Sequence, residues 1–269
     1  MTGNDRPIGV FDSGIGGLTV MHALMTRLPH ESLVYFGDTA RVPYGPKSPA
    51  TVSRFAFENV DLLAACDVKA VVVACNTATA HALGPLRERF DLPIVGVIGP
   101  GARAAERETA SRRVGVIGTH GTVGSGAYQK ALRGIDADLV VVARACPLFV
   151  PLAEEGMTDH PASRLIATDY LAPFRNDEID TLILGCTHYP LLKKVIAATV
   201  GEGVALIDSA DETANEAVAL LAERGLARTA GEPEHRFLVS DLPDQFLKVG
   251  QRFLGREIGA VEVVSAGAV

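Results

Sequence analysis

Ten short runs rich in valine, isoleucine and leucine recur along the 269-residue chain, at 8–11, 33–36, 70–74, 94–97, 114–117, 139–142, 181–184 and 204–207, and more weakly at 237–239 and 261–264. Most are continuous rather than alternating, as expected for strands covered on both faces. Between them apolar residues recur at helical spacing, over 17–28, 53–65, 77–90, 127–132 and 212–224. Strand and helix in alternation predict an α/β fold with parallel sheets and right-handed crossovers.

An internal echo refines this expectation. In the first half, the run ending at Phe11 leads into Asp12-Ser13-Gly14, and a later run leads into Cys75-Asn76-Thr77. In the second half, the run ending at Ile117 leads into Gly118-Thr119-His120-Gly121-Thr122, and a later run leads into Cys186-Thr187-His188. Order and spacing match better than residue identity, which suggests two similar α/β units. The boundary is placed near Gly99–Gly101. After Ile207 more strand and helix remain than the second unit needs, so the chain is expected to return to the first. The expected domains are 1–98 plus 208–269, and 99–207.

Composition narrows the function classes. The chain is 48% hydrophobic and 21% charged, with a formal net charge of −7 and no Lys/Arg-rich run. Nucleic acid is therefore not expected as a partner. Tryptophan is absent and aromatics are 6%, so stacking platforms are few. The opening MTGNDRPIGVF has no basic stretch followed by a long apolar one, so no signal peptide is expected, and it leaves few residues before the first strand for a regulatory extension. No apolar run approaches the roughly 20 residues needed to span a bilayer. The expectation is a cytoplasmic protein without a membrane partner.

Four cysteines occur, Cys66, Cys75, Cys146 and Cys186. None forms a C-x-x-C pair or a zinc-like spacing, so no metal site is expected, and free thiols are. Cys66 reads as core and Cys146, before Pro147, carries no assigned role. Cys75 and Cys186 differ, because each follows a strand and precedes a helical pattern. Ligands in open α/β sheets bind beyond the carboxyl ends of strands. A helix N-terminus favours negative charge, so it is expected to lower a thiol's pKa. Two such thiols could form a redox disulfide, serve as nucleophile and spare, or act as acid and base on opposite faces of one carbon. The last suits a pseudo-symmetric protein best, since inverting a stereocentre needs a base on one side and an acid on the other.

Cofactor chemistry finds little support. None of the six lysines follows a strand in a Gly-rich setting, as a pyridoxal phosphate Schiff base would need. The GIGG loop at 14–17 is not G-x-G-x-x-G, and G-x-x-x-x-G-K is absent. That loop either offers amides to a carboxylate or simply makes a tight strand-to-helix turn.

The segments VFDSGIGGLTV (10–20), GDTARVPYGPKS (37–48), ACNTATA (74–80), PLFVPLAEEG (147–156) and LGCTHYPLL (184–192) together resemble the cofactor-independent aspartate/glutamate racemase family. The PYG element and the D-S-G-I-G-G loop resemble the glutamate-acting members. The resemblance implies two α/β domains with the site in the cleft between them, and the C-terminal segment returning to the first. It implies interconversion of free L- and D-glutamate without metal or organic cofactor, feeding bacterial peptidoglycan synthesis, with aspartate or a related amino acid as the alternative substrate. Cys75 and Cys186 would be the two bases. Asp12 and His188 would assist proton transfer beside them, and Asp12 and His188 would also touch substrate. Ser13, Tyr44, Gly45, Asn76, Thr77 and Thr187 would contact substrate, and Thr119 and Thr122 would hold its α-carboxylate. Glu154 matches the acidic residue of the PLxE element, with Glu155 beside it as the other reading. Plainer roles remain for several: Asp12 as a helix cap, His188 as a core hydrogen-bonder, Tyr44 and Gly45 as the turn after Pro43. The assembly state is left open, with a homodimer among the options.

Overall fold

The structure, a computed structural model, describes residues 5–265. Part of the leader reading, that on residues 1–4, therefore lies outside the described residues. Ten strands are present among the described residues: β1 Ile8–Asp12, β2 Leu33–Gly37, β3 Ala70–Val73, β4 Ile94–Gly96, β5 Arg113–Gly118, β6 Val140–Ala145, β7 Thr181–Gly185, β8 Ala205–Asp208, β9 His235–Val239 and β10 Val261–Val263. Each of the ten apolar runs supplies one of them. The helices are α1 Leu18–Arg27, α2 Pro49–Ala65, α3 Asn76–Arg89, α4 Ile98–Glu108, α5 His120–Gly124, α6 Ala127–Ile135, α7 Phe149–Glu154, α8 Pro161–Leu171, α9 Lys193–Val200, α10 Ser209–Glu223 and α11 Pro243–Leu254.

The strands form two sheets, and every pairing is parallel. The first has the order β10-β9-β2-β1-β3-β4 and the second β6-β5-β7-β8. The run β2-β1-β3-β4 recurs strand for strand as β6-β5-β7-β8, which is the echo seen in the sequence. The two strands left over, β9 and β10, extend the first sheet beyond β2. In each repeat the strand order reverses at the central pair, β1/β3 and β5/β7, and at such a switch point a crevice opens beyond the carboxyl ends. Every residue of β1, β2, β3, β4 and β7 is buried, which explains their unbroken apolar runs.

Helix ends carry recognisable signals. Ser48 caps α2 with its hydroxyl 3.3 Å from the Thr51 amide, and Pro49 occupies the first turn. Asp208 caps α10 by accepting from the Ala210 amide at 3.0 Å, with Asp211 and Glu212 following in the first turn. Gly255, in the left-handed region at φ 70°, closes α11. The Gly99–Gly101 segment is helical. Gly99, Pro100 and Gly101 lie in the first turn of α4, where proline is tolerated, and the Gly101 amide bonds the Val97 carbonyl at 3.4 Å. Ile98, Ala102 and Ala105 of α4 pack with Val114, Val116 and Ile183 of the second sheet.

Candidate active site

Cys75 follows β3 and is the N-cap of α3, its Sγ accepting from the Ala78 amide at 3.5 Å. Cys186 follows β7 at the equivalent place in the second sheet, but no α-helix starts there. Cys186, Thr187 and His188 make a turn closed by the Tyr189 amide on the Cys186 carbonyl at 3.1 Å, and a 3₁₀ turn, Tyr189–Leu192, comes next. The Leu191 amide also bonds three residues back, to the His188 carbonyl, and α9 begins only at Lys193. The expected helix dipole is thus present at Cys75 and displaced from Cys186.

The expected lowering of the thiol pKa is reversed at Cys75. Burial in an apolar setting pushes this thiol up to about 12, and the negative charge of Asp12 adds to it. The Ala78 amide and the Ser13 hydroxyl pull the other way but do not prevail. Asp12 is wholly buried one position past the β1/β3 register, and burial raises its carboxyl against the His188 charge and the amides of Gly14, Gly17 and Ser13. The Gly14 amide bonds Asp12 Oδ2 at 3.0 Å. The GIGG loop therefore turns amides onto Asp12. Its glycines serve close approach: a Cβ at Gly17 would lie 2.5 Å from Asp12 Cβ, and one at Gly16 would overlap the Thr187 hydroxyl and the His188 ring.

Cys186 has a different surrounding. His188 Nδ1 lies 3.8 Å from its Sγ, and Nε2 lies 2.9 Å from Glu154 Oε1. Burial disfavours the imidazolium, but the hydrogen bonds to Cys186 and Glu154 and their charges outweigh it, raising His188 to about 10. The ring is packed edge-on against Phe253 of α11, at a centroid distance of 5.2 Å. The turn itself is held by Tyr189, whose hydroxyl donates to the Cys146 carbonyl at 2.9 Å and whose ring meets Phe149 edge-on.

The two repeats meet across the crevice. Thr77 of α3 places its hydroxyl 3.0 Å from that of Thr119 and 3.1 Å from that of Thr122, which are 3.2 Å from each other. The Gly121 amide donates to the Gly45 carbonyl at 2.8 Å, and the Gly121 carbonyl faces His81 Nε2 at 3.2 Å. Asn76 donates through Nδ2 to the Tyr128 hydroxyl at 2.9 Å, while its Oδ1 is buried with no partner among the described residues.

One cavity of about 30 Å³ gathers Ser13, Tyr44, Gly45, Cys75, Asn76, Thr77, Thr119, Thr122, Cys186, Thr187 and His188. Asp12 and Glu154 stand behind its wall, against Cys75 and His188 respectively. Glu155, the other reading of the acidic element, is the C-cap of α7 and makes no bond to His188. Tyr44 is among the wall residues, and its hydroxyl donates to Asp38 Oδ2. Three apolar wall residues, Val42, Pro43 and Val150, were not marked by sequence chemistry, although all three lie within or beside the quoted motifs. At about 30 Å³ the cavity is smaller than an amino acid. A larger groove, about 800 Å³, lies among Arg87, Asp91, Glu216 and Arg224, and no thiol lines it. Among the described residues no group of three or more His, Cys, Asp and Glu side chains is placed to hold a metal, and no helix is long and apolar enough to cross a membrane.

The chain is similar to known proteins. The sequence profile of the Asp/Glu/Hydantoin racemase family matches residues 14–217. A glutamate racemase from Geobacter metallireducens is 54% identical over 264 residues, 98% of each chain. Among solved structures, a glutamate racemase isoform from Bacillus anthracis superposes with a TM-score of 0.94 at 44% identity, covering 97% of both chains. The glutamate racemase of Francisella tularensis, solved in complex with D-glutamate, gives 0.93 at 41% identity, covering 98% of this chain and 99% of the other. With two thiols at equivalent strand ends of a repeated sheet, lining one cavity, the chain belongs to the Asp/Glu/Hydantoin racemase family and is a racemase.

Proposed function

We propose that the protein interconverts L- and D-glutamate by a two-base route without metal or organic cofactor. The observation that carries this reading is the placement of Cys75 and Cys186 at matching ends of β3 and β7, in the wall of one cavity. Such symmetry suits proton removal on one face of a carbon and delivery on the other. The names of the relatives favour glutamate over aspartate as substrate.

The surroundings of the thiols suggest the resting state. Cys75, raised to about 12, is a thiol at neutral pH. Cys186 faces an imidazolium that Glu154 stabilises, and is assigned as the first base. Cys186 then takes the α-proton of one enantiomer while Cys75 gives its proton to the opposite face. The negative charge ends on Cys75, and the reverse reaction exchanges the roles. Asp12 acts beside Cys75 and His188 beside Cys186. The carbanionic intermediate requires oriented donors in a dry site. Ser13, Asn76, Thr77, Thr119, Thr122, Thr187 and the backbone around Gly45 are the groups within reach of the cavity. The two hydroxyls of Thr119 and Thr122, at the start of α5, are assigned to the α-carboxylate. Tyr44 is assigned a packing contact through its ring. Substrate entry requires the domains, 1–98 plus 208–269 and 99–207, to part and close again. We place the product, D-glutamate, in bacterial peptidoglycan synthesis in the cytoplasm.

The test replaces each cysteine by serine and follows α-proton exchange in D₂O with each enantiomer, for glutamate and for aspartate. Each single variant should lose racemisation while retaining, at most, exchange of one enantiomer. Wild-type racemisation by either variant would sink the two-base reading, and faster turnover of aspartate would reassign the substrate.

A further inference from the structure

We propose that Asp38 is a positioning residue for this reaction, acting through Tyr44 on the loop that walls the cavity and receives the second repeat on closure. The inference rests on the racemase reading above and concerns residues outside the roles assigned there.

Asp38 follows β2, is fully buried, and lines no part of the cavity. Its Oδ2 accepts from the Tyr44 hydroxyl and from Arg41 Nε, the latter at 2.7 Å. Its Oδ1 accepts from the Ser240 hydroxyl at 3.0 Å. Its own amide donates to the Asp12 carbonyl at 3.1 Å. The Tyr44 hydroxyl accepts in turn from Asn59 Nδ2 at 3.1 Å, and Arg41 reaches Asn59 Oδ1 at 3.0 Å and Glu58. One carboxylate thus ties together the end of β2, helix α2, the 39–47 loop and the segment that returns after β9.

Burying a carboxylate is costly, and apolar packing of the same volume is often at least as stable. A fully satisfied polar cluster does something apolar contacts do less well: it specifies one geometry. The geometry here belongs to Val42, Pro43, Tyr44 and Gly45, all in the cavity wall. Gly45 also offers the carbonyl that receives the Gly121 amide from the second repeat. A Cβ at Gly45 would lie 2.7 Å from Thr119 Cβ, so the loop must be held within a fraction of an ångström for the repeats to meet. Tyr44 is the lever. It lies in the wall, its ring packs on Phe55 of α2, and its hydroxyl is the handle that Asp38 grips.

Asp38→Asn removes the charge and leaves one fewer acceptor for the Tyr44, Arg41 and Ser240 donors. The expected result is a rise of about tenfold or more in KM for glutamate, the scale of a lost charge-assisted hydrogen bond, with kcat within about threefold of wild type. In the double variant with Tyr44→Phe, KM should rise no further than in Asp38→Asn alone, because both changes break one linkage. KM and kcat both at wild-type values in Asp38→Asn would overturn the proposal, as would a fall in kcat with KM unchanged, which marks a chemical role. Fully additive effects in the double variant would also overturn it. Should Asp38→Asn fail to fold, Ser240→Ala decides: a raised KM with kcat retained supports the hub, and wild-type kinetics refutes it. Wild-type protein that racemises neither glutamate nor aspartate would instead count against the proposed function.

Discussion

His188 sits between a thiol and a carboxylate, with Nε2 2.9 Å from Oε1 of Glu154 and Nδ1 3.8 Å from Cys186. This linkage holds the buried ring as a cation, up to about 10. Glu154→Gln removes the charge, so the His188 pKa should fall toward its ordinary 6.5. The alkaline limb of the kcat/KM profile should move down by about one pH unit or more, measured with each enantiomer. The same shift has a stability consequence. A raised folded-state pKa contributes stability that is complete below 6.5 and lost as pH rises toward about 10. Wild-type melting temperature should therefore decline across that window, and the decline should shrink in Glu154→Gln.

Differential reactivity of the thiols is a second expectation. Cys75 is held as a thiol by burial and by Asp12, whereas Cys186 faces the His188 cation. The thiolate is the reacting form. At neutral pH iodoacetamide should label Cys186 before Cys75, as read by peptide mass spectrometry, and glutamate should slow both. Labelling of Cys75 first would contradict the assigned resting state.

Gly16→Ala should impair the reaction from the far side of the cleft. The added methyl would lie 2.6 Å from His188 Cε1 and overlap the Thr187 hydroxyl. The Cys186 turn must shift away, and misplacement on the order of 1 Å can cost about 100-fold in rate. The measurement is kcat/KM beside the thermal melt, with a large loss expected in the first.

Gly121→Ala addresses closure directly. Its methyl would come 2.9 Å from the Gly45 carbonyl and 2.9 Å from Thr77 Cγ2. Overpacking of this kind costs about 1–3 kcal/mol. Here it can be relieved by parting the repeats, so the cost should appear as weaker closure. Expected is a drop in kcat/KM of about tenfold or more with a melting temperature close to wild type, and greater solvent accessibility of Cys75.

Strand positions were legible because buried parallel strands leave unbroken runs of branched apolar residues, from Ile8 to Val263. The repeat was legible because Cys75 and Cys186 follow matching strands. Helix α4 was not, since Gly99-Pro100-Gly101 resembles a linker and only packing of Ile98 and Ala102 against the second sheet makes it helical. Asp38 lies within the 37–48 motif, but its linking role was not legible there, because Ser240, and Asn59 that holds its partners Tyr44 and Arg41, come together with it only in the fold.

The sequence by itself determined the alternation of strand and helix, the doubling of the unit and the pair of cysteines, all of which are local patterns or motif likeness. Only the tertiary structure decided the electrostatics. Burial, not the helix dipole, sets Cys75, because removing water from a thiolate outweighs one aligned amide. The Cys186 turn runs into a 3₁₀ turn, so its charge partner is His188 backed by Glu154, a carboxylate 34 positions earlier in the chain. Those relationships depend on distances between segments that no local pattern encodes, which is why two similar cysteines in the sequence become two unlike thiols in the fold.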